Sequence, residues 1–208
     1  MKDKQDYIRD ITEIRSMMER SSKFLFLSGW AGILAGVYAL SGAYVAYKVF
    51  GFNPDGIEYS RMQAGEMSPN LQKAIFLAVL ILVLALCTAV FFSYQRARKK
   101  GEKLWNATAR QLLLSMAVPF MAGGLLILIL ISYGLIGLIA PLTLLFYGLS
   151  LYNGSKFTYD VVKVLGLTQI ALGLISAYFI GYGLLFWALG FGVAHIFYGI
   201  YVYYRYER

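Results

Sequence analysis

Two long stretches of the chain carry no charge. From Gln111 to Ser155, and again from Val164 to Tyr204, there is no Lys, Arg, Asp or Glu. A helix crosses the hydrocarbon core of a bilayer with roughly 20 apolar residues, so each stretch has room for two crossings. Each breaks near its middle, at Ser132-Tyr133-Gly134-Leu135 and at Gly181-Tyr182-Gly183-Leu184. The pattern predicts two helical hairpins with tight turns. Upstream, Phe24 to Tyr47 and Ala74 to Gln95 are apolar runs of similar length. The polar loop between them carries the turn signal Asn53-Pro54-Asp55-Gly56.

Barrel strands alternate apolar with polar residues, whereas the runs here are continuous, as from Ile75 to Leu84. Backbone groups in lipid must be paired within the structure, so the spans are helices. The expected fold is an all-α membrane protein of six transmembrane helices, arranged as three helical hairpins. The spans fall at about 24–47, 74–95, 111–131, 139–151, 161–180 and 184–203. Pro119 lies inside the third, where its missing amide frees the Ser115 carbonyl and predicts a kink or an internal polar spot. Pro141 falls in the first turn of the fourth, where proline is harmless.

Residues 1–23 form a separate polar handle. Tyr7, Ile11, Ile14 and Met18 recur at spacings of 4, 3 and 4, which predicts an amphipathic helix with a narrow apolar stripe. Arg9 with Glu13 and Arg15 with Glu19 can pair along its surface. One reading lays this helix on the membrane or on the protein's own cytoplasmic face. The other makes the stripe a partner interface, either a dimerising coil or a docking site.

The first span carries Gly32-x-x-x-Gly36, a spacing that lets another helix backbone approach closely, and intramolecular packing is its expected use. An internal repeat supports the hairpins. Gly124, Tyr133 and Gly134 match Gly173, Tyr182 and Gly183, and Phe146-Tyr147-Gly148 matches Phe197-Tyr198-Gly199. The aromatic pairs read either as an interfacial belt or as the mark of parallel repeats.

Composition agrees with the pattern. Of 208 residues 59% are hydrophobic and 14% charged, against roughly 25% charged in soluble domains. A net charge of +8 raises the question of nucleic acid, but the basic residues flank apolar runs, which is the signature of membrane orientation. Nucleic acid is therefore not an expected partner. Of the 19 Lys and Arg residues, only Lys48, Arg61 and Lys73 fall on the side opposite the termini. Cytoplasmic loops carry the excess of Lys and Arg. Both termini are thus expected in the cytoplasm, with the chain in a plasma or bacterial inner membrane. Cys87, the single cysteine, lies inside a span, so no disulfide framework exists.

Candidate chemistry is sparse. Every Asp and Glu lies outside the six spans. Intramembrane aspartyl or metalloproteolysis, and metal-dependent head-group transfer, therefore lack their carboxylates. No catalytic, metal or cofactor site is implied, since the lone His195 offers a single ligand. His195, Gln169 and Thr168 are the notable polar groups in the last two spans. Helix rise places Gln169 and His195 at one depth, and Pro119 with the freed Ser115 carbonyl at a comparable one. These groups are expected to converge on a buried polar spot, which serves either as helix glue or as a ligand site.

Two functional readings follow. The first is a non-enzymatic membrane component acting in the lipid bilayer through a membrane protein partner or as a homo-oligomer. The second is a permease or a lipid or small-molecule binder with a cavity between helical hairpins, lined by Gln169 and His195.

Overall fold

The computed structural model describes residues 27–52, 69–101 and 104–208. The predicted N-terminal helix, with Tyr7, Ile11, Ile14 and Met18, and most of the polar loop lie outside the described residues. All regular structure among the described residues is helical. Six helices are long and apolar enough to cross a membrane: α1 (Gly29–Lys48), α2 (Pro69–Lys99), α3 (Ala107–Ser132), α4 (Ile136–Phe157), α5 (Asp160–Tyr178) and α6 (Ile180–Glu207).

Several helices outrun their apolar stretches, because hydropathy marks where lipid ends and not where helical hydrogen bonding ends. Helix α2 continues past Gln95 through Arg96 and Arg98 to Lys99, cations that suit the negative end of the helix dipole. Helix α3 begins before Gln111 because Asn106 caps it, its Oδ1 accepting from the Ala109 amide at 2.8 Å. Helix α4 runs past Leu151 through Gly154 and closes on a 3-10 turn at Ser155–Phe157. Pro119 lies inside α3, which stays continuous as an α-helix from Ala107 to Ser132.

The two tight turns share a sequence pattern and differ in geometry. After α3, Gly134 takes a left-handed φ of 72°. The Leu135 amide donates to the Leu130 carbonyl at 2.9 Å and the Gly134 amide to the Ile131 carbonyl at 3.0 Å. This is a Schellman stop, and it requires glycine. Between α5 and α6 no residue has a positive φ. Phe179, at φ −103° and ψ 63°, turns the chain directly into the 3-10 turn Ile180–Tyr182.

Packing does not follow chain order throughout. Helix α4 lies against α5 most extensively and against α3 next, while α1 lies against α6 and α2. Helices α5 and α6 touch less than α5 touches α4 or α6 touches α1. Glycine is the reason. A Cβ on Gly199 of α6 would sit 2.5 Å from the Gly29 carbonyl oxygen and 2.5 Å from the Ile33 amide of α1. Gly36 faces the Gly192 carbonyl at 2.6 Å in the same sense, and Gly32 faces Tyr198 and Gly199. The Gly32 and Gly36 pair is thus spent inside the molecule. Helices α4 and α5 cross equally closely, Gly148 against the Gly166 carbonyl at 2.7 Å and Gly166 against the Gly148 carbonyl at 2.9 Å. With lipid as apolar as the helices, such backbone approach supplies the dispersion contact that holds them together.

An ion pair closes the end of the bundle where Leu27 and the C-terminus meet, called here the near end. Arg96 of α2 contacts Glu207 of α6 at 2.9 Å, with both side chains largely buried. The same guanidinium donates to the Leu27 carbonyl and, at 3.2 Å, to the Tyr206 carbonyl. Glu207 also accepts from the Gly29 amide, placing an acid at the positive end of α1. Tyr159, between α4 and α5, stacks on Tyr206 at 4.1 Å. Burial pushes its phenol up, and Arg96 opposes that shift.

Candidate functional site

Gln169 is completely buried on α5, and its amide nitrogen donates to the Gly190 carbonyl of α6 at 2.7 Å. That carbonyl lies in the π-helical segment Ala188–Ala194 of α6, a widened turn that opens the backbone to side chains and often marks a functional position. His195, just after the segment, brings Nδ1 to the same oxygen at 2.9 Å. A carbonyl can only accept, so Nδ1 carries the proton and Nε2 is the acceptor. The Tyr147 hydroxyl of α4 then donates to Nε2 across 3.0 Å. The 3.5 Å separation of Gln169 Nε2 and His195 Nδ1 is a meeting of two donors on one acceptor, not a hydrogen bond.

The same logic fixes the Gln169 amide. If it were flipped, its oxygen would face the Gly190 oxygen with no proton between them. As placed, Oε1 is buried without a partner, and it packs where a Cβ on Gly190 would otherwise stand, 2.5 Å away. Gly190 is therefore needed for space. The cluster ties α4, α5 and α6 together, adding side-chain bonds where α6 meets its two neighbours far less extensively than α4 meets α5.

The structure brings Gln169 and His195 together and leaves the other expected members elsewhere. Thr168 is exposed, its hydroxyl turned back on the Val164 carbonyl at 3.0 Å. Successive helix residues point about 100° apart, and with Gln169 on the inner face Thr168 falls on the outer one. Ser115 and Pro119 are half-buried on α3. That helix packs on α4 and on the turn after it, so α4 stands between them and the cluster. Tyr147 is the member that sequence reasoning missed. Its motif Phe146-Tyr147-Gly148 reads from sequence either as an interfacial belt or as the mark of parallel repeats, and the signal lies in Gly148, whose close contact with α5 turns the preceding ring inward.

A second feature lies at the opposite, far end. A cleft of about 120 Å³ opens between α1, α2, α4 and α6, and its walls are almost wholly apolar. Small residues make it: Ala43 and Ala46 on α1, Ala78 on α2, and Gly137 and Ala140 on α4, with Trp187 of α6 alongside. Neither Gln169 nor His195 lines it. The polar cluster and the cleft are thus separate, contrary to the expectation of one cavity lined by these two residues.

Among the described residues no group of three His, Cys, Asp or Glu comes together that could hold a metal ion. No family model matches the chain, and no curated protein or solved structure matches it either.

Proposed function

We propose that the chain is a non-enzymatic multi-pass membrane component that works by association within the bilayer, with a second copy or another membrane protein. The observation that carries this reading is α2. It is 31 residues long and contacts α1 extensively, yet none of its most apolar window is buried, whereas 44% of the window in α1 is. Leu82, Leu86, Val90 and Tyr94 keep a long apolar face of α2 free over three turns. The N-terminal stripe of Tyr7, Ile11, Ile14 and Met18 supplies a further surface of the kind a helical partner takes. Cys87 is exposed on α2 and reports on this face. Mild oxidation in native membranes is expected to join the chain, through Cys87, to a second copy or to a partner. A chain that stays at its monomer mass of 23.3 kDa under oxidation, and is also monomeric by native mass spectrometry, would sink the association reading.

The arrangement in the membrane belongs to the same proposal. Lys and Arg collect at the near end, which supports both termini in the cytoplasm of a plasma or bacterial inner membrane. The six spans then cross the membrane alternately in chain order, behind a cytoplasmic amphipathic helix. A tag after Arg208 should be cut by protease only once the cytoplasmic face is opened. Cleavage from outside intact cells reverses the orientation.

The far-end cleft favours a second reading, a lipid or small-molecule binder. Its walls suit an apolar ligand, and the sealed polar cluster then serves as the fixed hinge between α5 and α6.

A further inference from the structure

The cleft has a length, a width and a charged margin, and together they select a ligand. Its wall on α2 runs from Leu71 to Ile81, which at about 1.5 Å per residue is roughly 15 Å. That is half of the roughly 30 Å hydrocarbon core, the depth of one leaflet. Another transmembrane helix, about 10 Å or more across, is too wide for a space of about 120 Å³. An engineered apolar cavity of roughly 150 Å³ stays dry and takes benzene, so this volume suits a narrow hydrocarbon and not water. Two cations stand at the margin, Lys73 beside the wall residue Ala74 and Lys48 two residues after the wall residue Ala46. Both are exposed, and among the described residues neither Asp nor Glu lies at this end.

We infer that the cleft holds one acyl chain of an anionic phospholipid from the far-end leaflet, with its head group at Lys73 and Lys48. This rests on the second reading above and names its ligand. The chain fills the gap that the small side chains leave and bridges α2 to α4 and α6, which the protein itself joins weakly at this end. An anionic head group at Lys73 lets the hydrocarbon reach Ile81 without leaving the leaflet.

Trp187 provides the readout. In a Trp30→Phe/Trp105→Phe background the only indole left lines the cleft, and bromine on an acyl chain quenches an indole that it touches. The full chain is placed in nanodiscs of phosphatidylcholine with increasing phosphatidylglycerol brominated on its acyl chains. Quenching is expected to saturate while brominated lipid is still a small fraction of the total, and to reverse with unbrominated phosphatidylglycerol but not with further phosphatidylcholine. Ala140→Phe, which fills the cleft, should remove the saturating phase. Lys73→Glu, outside the packed walls, should weaken it several-fold while leaving the fold intact. Quenching that rises only in proportion to the bulk fraction, and is unaltered by Ala140→Phe, overturns both this assignment and the binding reading. Saturation that is equal for brominated phosphatidylcholine, and insensitive to Lys73→Glu, overturns the anionic head group while leaving lipid binding in place.

Discussion

Gly199→Ala is expected to lower the thermal unfolding midpoint in detergent, while Gly124→Ala, also in a helix interior, leaves it unchanged or raises it. The contrast comes from what each new methyl meets. At Gly199 it would lie 2.5 Å from both a carbonyl oxygen and an amide nitrogen of α1. Backbone atoms cannot rotate away, so α1 and α6 must part along their whole crossing. Overpacking of this kind costs about 1–3 kcal/mol. Gly29, Gly32 and Gly36 on the opposing helix use the same contact line, which places the effect at the upper end. At Gly124 nothing lies within 4 Å, so the methyl meets only lipid or detergent. There alanine gains about 0.4–1 kcal/mol by restricting the unfolded chain. Spin labels at the exposed positions Val37 and Phe197 should report a longer α1 to α6 distance in Gly199→Ala alone. Equal losses in the two variants would show that the glycines are interchangeable and that the crossing is not what holds α1.

His195→Phe is expected to destabilise the protein by about 1–2 kcal/mol, more than Gln169→Leu does, although Gln169 is the more deeply buried of the two. The magnitudes follow from what each change leaves behind. Without the imidazole, the Tyr147 hydroxyl loses its acceptor at 3.0 Å in a place where water cannot replace it. An orphaned buried group costs about 1–3 kcal/mol. Removing Gln169 takes away one bond to the Gly190 carbonyl, but His195 still serves that oxygen. It also removes Oε1, which has no partner in the folded state. Loss and relief nearly offset each other. Hydrogen bonds between membrane helices average about 0.6 kcal/mol in double-mutant cycles, so the Tyr147→Phe/His195→Phe double variant should cost less than the sum of its singles by about that amount. Thermal unfolding of the four variants in one detergent measures the cycle. Strict additivity would mean that Tyr147 and His195 do not share a bond, and that the cluster is packing alone.

The legible part of the site came from chemistry and spacing. Gln and His are rare enough in apolar spans to stand out, and helix rise put them at one depth before any contact was known. Helix phase then separated Thr168 from Gln169, since successive residues point about 100° apart, but it could not say alone which of the two faced inward. Ser115 and Pro119 failed for a different reason. Depth is one coordinate, and two groups at one depth meet only if their helices are neighbours in the membrane plane. Chain order suggested that α5 and α6 would pack as a hairpin. The glycines instead paired α4 with α5 and α6 with α1, and the far-end cleft opens among α1, α2, α4 and α6.

What the sequence determined by itself is the class of structure, helical with six helices long and apolar enough to cross a membrane. Hydrophobic length against bilayer thickness is a local property, as are the Asn106 cap and the left-handed stop at Gly134. Which helices become neighbours was decided only in the tertiary structure. Between helices in lipid there is little hydrophobic difference to read. The choice falls to shape, to a carbonyl that comes so near a glycine in one pairing, and not in another, that a Cβ there would lie under 3 Å from it. The π-helical widening at Ala188–Ala194 belongs to the same class. It arises where Gly190 and Gly192 are pressed by Leu144, Gln169 and Leu40 from helices distant in sequence, and no pattern within α6 announces it.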